Sequence, residues 1–79
     1  MSPTVFRVKR YRFFFFSLEE KRMHVHVTCP DGEAKFWLTP AVAAHQSFGL
    51  SAKQLRELQR IVEERRDEII DAWNAHFKS

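Results

Sequence analysis

The chain is poor in cysteine and glycine and has no long apolar run, and each shortage excludes a class of protein. Its single cysteine, Cys29, has no partner for an internal disulfide, which is typical of proteins of the reducing cytoplasm. Two glycines are too few for a glycine-rich phosphate loop. The longest apolar run, Phe13 to Phe16, is far shorter than the ~20 residues of a membrane span. We therefore expect a cytoplasmic protein with no membrane partner.

The length and the charge distribution predict one small, basic domain covering residues 1–79. A chain of this size buries only about 60% of the surface that its unfolded form exposes, so its core is thin. The net charge of +3 lies entirely in residues 1–39, which hold seven Lys/Arg and four Asp/Glu, whereas residues 40–79 hold six of each. This excess indicates an anionic partner, although lysine and arginine also protect exposed strand edges from pairing with other chains.

Alternating apolar and polar residues predict four β-strands in a mostly antiparallel sheet. The predicted strands cover about residues 4–9, 11–17, 22–29 and 33–39. The second strand contains four consecutive phenylalanines, which place apolar rings on both faces of the sheet. That strand is therefore either central or covered on its second face by something other than water.

The third and fourth strands form a hairpin to which two rules assign different registers. The Pro-Asp-Gly sequence at 30–32 favours a three-residue loop, which would set His26 beside Phe36. Matching the apolar faces instead requires an even loop, with Val27 beside Phe36 and His26 beside Trp37. We favour the matched faces, because a one-residue slip turns every side chain to the wrong face.

The C-terminal half predicts one long helix over about residues 52–77. Ser51 and Gln54 form a capping box at its start, and apolar residues recur along it with helical period. Such a helix measures about 39 Å, against about 23 Å for a predicted strand, so its far end extends past the sheet. Two large aromatic side chains, Trp73 and Phe77, lie at that end. They predict a homodimer in which a second chain covers them.

The predicted fold class is α+β, with the four-stranded sheet followed by the long C-terminal helix packed on one face. A short helix at 40–46 precedes the long one, since Pro40 suits a first helical position. On the third strand the valines lie under the long helix, and His24 and His26 point the other way. The histidine-bearing face is the candidate functional surface.

His24 and His26 are the candidate catalytic residues. Two imidazoles on one strand face can divide acid and base roles, as a metal-free ribonuclease needs. A His-x-His pair alone is a weak metal motif, so we expect no metal and no other cofactor. The alternative is two half-exposed histidines on the polar face of an ordinary strand.

A set of basic and aromatic residues predicts binding of RNA or DNA, because cations hold phosphates while rings stack on bases. The predicted contact residues are Arg7, Lys9, Arg12, Arg22, Lys35 and Trp37. Tyr11 and either Phe13 or Phe15 are the predicted stacking rings beside them. The alternative is that the phenylalanines form a second core or a dimer face.

Several blocks of the sequence resemble one family of small bacterial proteins. The blocks are Tyr-Arg-Phe-Phe-Phe at 11–15, His-Val-His-Val at 24–27, Gly-Glu-Ala-Lys-Phe-Trp at 32–37, Gly-Leu-Ser at 49–51 and Ala-Trp-Asn at 72–74. The family is a domain of unknown function, DUF4160, and the resemblance spans nearly the whole chain. It implies a cytoplasmic bacterial or phage-borne protein whose gene neighbourhood is similar to that of toxin–antitoxin pairs, and so a small protein partner. It implies no established activity.

Two functions remain open at this point. The first is a nucleic-acid-directed module of a toxin–antitoxin-type pair, either an RNA-binding domain or a ribonuclease that uses His24 and His26. It requires these two histidines, Lys35 and Trp37 in one exposed concave patch. The second is a non-catalytic, dimeric protein-interaction domain, which requires the same face to be flat or buried against another chain.

Overall fold

The computed structural model describes residues 4–16 and 22–77, which form five strands followed by two helices. The elements are β1 (Thr4–Val8), β2 (Tyr11–Phe14), β3 (His24–Cys29), β4 (Gly32–Trp37), β5 (Ala43–Phe48), α1 (Ala52–Glu64) and α2 (Arg66–Phe77). Each strand pairs antiparallel with the next, so the strand order in the sheet follows the chain. The α+β class is confirmed, with one strand and one helix more than the sequence predicted. Residue 17, the predicted end of the second strand, lies outside the described residues.

The prediction of a short helix at 40–46 is wrong, because most of this segment belongs to β5. β5 lies along the edge of β4, where Ala43 pairs with Trp37. The pairing skips one residue, so that His45 forms a bulge. A strand edge offers a row of backbone donors and acceptors, and the bonds to it outweigh the helix preference of so short a segment, which is weak.

The prediction of one helix over 52–77 is also wrong, because the helix is interrupted at Arg65. The Arg65 guanidinium binds the Glu68 carboxylate at 2.9 and 3.0 Å and lies 3.7 Å from the centre of the Phe6 ring. The interruption keeps the last helix on the protein, and Trp73 is only 6% exposed. The overhanging aromatic end that predicted a homodimer is therefore not found.

The core lies between one face of the sheet and the helices. Its fully buried side chains are Phe13, Phe15, Val25, Val27, Phe36, Leu38, Leu58, Val62 and Ile69. Burying one such side chain stabilises the folded state by about 1.5–3 kcal/mol. The expected placement of the valines beneath the helix is confirmed. Within the described residues, no helix is long and apolar enough to cross a membrane.

The β3–β4 hairpin has the even loop that face matching requires. Pro30 and Asp31 form a two-residue loop, and Phe36 pairs with Val25. The prediction that apolar faces match is confirmed, but the predicted partner of Phe36, Val27, is wrong by two residues. The shorter loop moves each partner along β3 without changing the face on which its side chain lies.

Candidate nucleic-acid interface

The sheet face opposite the helices carries the candidate site, and we call it the open face. Its side chains alternate along the strands with those of the core. They include Arg7, Arg12, Phe14, His26, Glu33, Lys35, Trp37, Gln46 and Phe48. His24 alternates with Val25 as His26 does, but Trp73 of α2 covers it and it is buried. The structure thus brings together Arg7, Arg12, Lys35 and Trp37, four of the predicted nucleic-acid contacts, and Arg22 joins them through its contact with Trp37.

Two arginines form a cross-strand pair on this face. Arg7 of β1 lies directly opposite Arg12 of β2. The Arg12 Nε donates a 2.7 Å hydrogen bond to the Thr4 hydroxyl, and its guanidinium lies 4.7 Å from the centre of the Phe14 ring. Like charges directly opposite each other destabilise a sheet by a few tenths to about 1 kcal/mol. An anion bound on this face can accept hydrogen bonds from arginine side chains of both strands.

Trp37 lies at the centre of a second cationic cluster. The Arg22 guanidinium and the Lys35 ammonium lie 4.2 and 4.6 Å from the centre of its ring. The imidazole of His45, in the bulge of β5, lies 4.6 Å from the same ring. Cation–π contacts fix the long side chains in place. The cluster therefore presents positive charge beside an aromatic surface.

A groove of about 530 Å³ lies between these clusters. Its floor follows one row of paired residues across four strands, from Phe14 through His26 and Lys35 to Gln46. Exposed rings stand at its two sides, Phe16 on one and Phe48 on the other. The groove combines apolar walls with the ammonium of Lys35, the imidazole of His26, the amide of Gln46 and the carboxylate of Glu33, which is typical of a small-ligand or base-binding site.

The predicted stacking rings were assigned to the wrong residues. Tyr11, Phe13 and Phe15 are buried in the core, with exposures of 7, 0 and 1%. In this part of the chain the open-face rings are Phe14, which is 9% exposed, and Phe16, which is 49% exposed, and they contact each other at 5.4 Å. Alternation along the strand indicates that Phe14 and Phe16 share the face of Arg12, because they lie two and four positions after it.

Lys9 does not join the other cations. Its ammonium forms a 2.6 Å ion pair with Glu57 of α1, on the helix side of the sheet. The pKa of the Glu57 carboxyl lies below its ordinary value, and the hydrogen bond from the Lys9 ammonium is the largest cause. Burial, followed by the Glu57 charge, raises the pKa of the neighbouring Tyr11. Lys9 is therefore not part of the open face, and its charge is paired with that of Glu57.

The two candidate catalytic histidines lie 4.9 Å apart, ring centre to ring centre. His24 is only 2% exposed, because Trp73 of α2 covers it at 5.0 Å. Its Nδ1 lies 2.9 Å from the Arg22 carbonyl oxygen, which can only accept, so the nitrogen donates. His26 lies in the groove wall against Phe16, at 4.3 Å. Of the pair, His26 is therefore the one that lines the groove, and its Nε2 atom is itself buried.

The metal hypothesis needs a third ligand beside the two histidines. In the part of the chain that the structure describes, no three His, Cys, Asp or Glu side chains are grouped closely enough to hold a metal ion. The described side chains on the open face are instead mostly cations and rings, with the Gln46 amide and the Glu33 carboxylate beside them. That composition suits a polyanion that carries aromatic groups.

Comparison with curated proteins and with solved structures gives no match. A family model, described as a domain of unknown function, matches residues 11–74. The match covers β2 to β5 and reaches into α2, so it includes the groove, the Trp37 cluster and the covering Trp73. The chain therefore belongs to the DUF4160 family of uncharacterised domains.

Proposed function

We propose that the open face binds single-stranded nucleic acid, with phosphates on its arginines and lysine and bases on its rings. The observation that carries the proposal is the pairing of Arg7 with Arg12 on neighbouring strands. Two guanidinium groups that face each other across neighbouring strands offer several N–H donors to one anion. A phosphate group is a tetrahedral anion, and two of its oxygens can accept parallel hydrogen bonds from one planar guanidinium group.

The rings favour a single strand over a duplex. A sheet face reads unpaired bases by stacking, because every base has a π-face that a duplex hides. Phe16 and Phe48 are the large apolar side chains most exposed on the described surface, at 49 and 79%. Cations and accessible rings on one face match the two chemical parts of a nucleotide.

The geometry of the two histidines supports binding better than it supports catalysis. An acid–base pair needs both groups within hydrogen-bonding reach of the substrate, and His24 is covered by Trp73. The ribonuclease hypothesis for His24 and His26 stays a prediction. A place in a toxin–antitoxin-type pair, with a small protein partner, is part of the proposal and is suggested by family resemblance.

We expect the Arg7→Gln, Arg12→Gln double variant to bind a single-stranded RNA or DNA octamer about tenfold more weakly than the unaltered protein. If each arginine contacts one phosphate, the slope of log affinity against log salt becomes shallower by about 1.4. Fluorescence anisotropy across a salt series measures both effects.

The matched control is the Lys53→Gln, Arg56→Gln variant. It removes the same charge from exposed positions on α1, on the other side of the sheet. Its binding and salt slope should stay close to those of the unaltered protein. Equal losses in the two double variants would mean that only net charge matters, and no binding by any of them would end the proposal.

A second candidate function, a dimeric interaction domain, is favoured by the outer edge of β5. All six of its residues are exposed, and it carries no Lys, Arg, Asp, Glu or Pro to discourage pairing. A two-fold axis between two such edges, level with the bond between His45 and Gln46, would set Ala43 opposite Phe48 of the partner subunit, both on the open face. A second copy of this uncharged strand is therefore the occupant we propose.

We expect the protein to sediment as a concentration-dependent dimer, and Ala43→Lys to shift it to monomer by placing a charge in the paired edge. Thr4→Lys on the edge strand β1 is the control and should leave the equilibrium unchanged. Nucleic-acid binding should survive Ala43→Lys, which adds a cation at the open face. A strict monomer at high concentration would refute the dimer without affecting the first proposal.

A further inference from the structure

We infer that the groove between Phe16 and Phe48 binds an unpaired nucleobase, stacked on the Phe48 ring. The inference rests on the proposed function and assigns a task to a site that phosphate binding leaves unused. Phe48 is 79% exposed, which is unusual because phenylalanine is among the residues most often buried. Its carbonyl and backbone are held by β4 and the following loop, so the ring is presented from a fixed strand.

The floor of the groove can read the edge of a stacked base. Gln46 lies two residues before Phe48 on the same face, beside Lys35 of β4. Its amide offers both a donor and an acceptor, and the ammonium offers donors only. Each base edge presents donors and acceptors side by side, so the pair complements a base better than it would an aliphatic ligand.

The far side of the groove is closed by aromatic rings that support one another. Phe14 stacks on the His26 ring at 5.5 Å, and Phe16 contacts that imidazole edge to face at 4.3 Å. Neighbouring strands lie about 4.8 Å apart, so the row from β2 to β5 spans about 14 Å. That width accommodates a base together with its sugar, with the chain continuing toward Arg12 at one end.

The surrounding charge selects a nucleotide over a neutral aromatic ligand. Arg12 contacts Phe14, and Lys35 forms part of the groove floor. Lys35 lies one strand from Phe48 and Arg12 lies three strands away, and the Glu33 carboxylate opposite Phe48 adds one negative charge to the same wall. A base without its phosphates would gain only the stacking contact, so we expect an oligonucleotide to bind far more tightly than a free nucleoside.

The test compares Phe48→Leu with Phe48→Trp in the full chain, using a labelled single-stranded DNA octamer and the same octamer with its central bases removed. Leucine keeps the apolar area but lacks a ring face, and tryptophan enlarges the ring. We expect Phe48→Leu to weaken binding of the intact octamer about tenfold with no change in salt slope, and Phe48→Trp to retain it. The octamer that lacks its central bases should bind the unaltered protein and both variants equally and weakly.

The outcomes separate this inference from the proposed function. If the intact and base-free octamers bind the unaltered protein equally well, the base site does not exist but phosphate binding stands. If neither octamer binds, both proposals fall. If Phe48→Leu alters the sedimentation coefficient and not the affinity, the ring belongs to a protein interface and the base site is refuted.

Discussion

Phe36→Ala is expected to lower the free energy of unfolding by about 3–5 kcal/mol. Phe36 is 0% exposed and pairs with Val25 on one side and Ala44 on the other. Alanine removes the ring contacts and leaves a cavity that the flanking strands cannot close, since their spacing is set by backbone hydrogen bonds. A domain of this size has about 5–15 kcal/mol in total, so a large share of its stability depends on one ring.

Urea unfolding followed by circular dichroism measures the effect as a lower midpoint with an unchanged slope. Phe48→Ala is the matched control, because it deletes the same ring from a position that is 79% exposed, and we expect a change within about 0.5 kcal/mol. If Phe36→Ala does not fold, Phe36→Leu should still fold, with a loss below about 1.5 kcal/mol. Similar losses for Phe36→Ala and Phe48→Ala would contradict the assigned faces of β4 and β5.

Gly32→Ala is expected to cost about 3 kcal/mol or more, because it forces apart two backbone segments in contact. A Cβ atom at Gly32 would lie 2.0 Å from the Phe48 carbonyl oxygen and 2.9 Å from the carbonyl carbon of Gly49. Both clashes are with backbone, which cannot turn aside as a side chain can. Gly49 itself has φ +79°, a conformation in which other residues are strained.

The hairpin loop that precedes Gly32 also contacts the start of α1. The Asp31 carboxylate accepts a 2.9 Å hydrogen bond from the Gln54 amide and a 3.2 Å bond from Arg10. Gln54 also belongs to the capping box with Ser51, which the structure confirms. Displacing the Gly32 backbone therefore loosens the loop, the helix start and the end of β5 together.

Hydrogen exchange should show this effect as a loss of protection in the β5 amides that pair with β4, beside a fall in overall stability. Glu33→Ala, at the next residue and on an exposed side chain, is the control and should change stability by no more than about 0.5 kcal/mol. A Gly32→Ala protein as stable as the unaltered chain would show that the two segments do not touch in solution.

Much of the fold followed from periodicity. Alternation located four of the strands, assigned the valines to the core, and gave an even β3–β4 loop. The Ser51–Gln54 box located the start of the helix. The interleaving of cations with aromatic residues also selected Arg7, Arg12, Lys35 and Trp37 as binding residues, and the pairing of the strands placed them on one face.

The misses share one cause, which is that the deciding contacts come from distant parts of the chain. The segment that forms β5 has no apolar alternation and became a strand because β4 offered an open edge. The helix broke at Arg65 because its guanidinium meets Phe6 from the opposite end of the sequence. Lys9 left the binding set because Glu57 of α1 lies beside it.

By itself the sequence determined the α+β class, the orientation of the core and the basic character of the opposite face, because each depends on residue spacing and composition. The tertiary structure alone decided which rings line the groove, that Trp73 covers His24, and that β5 extends the sheet. Those features depend on the packing of residues far apart in the chain, and no local pattern encodes the distance between them.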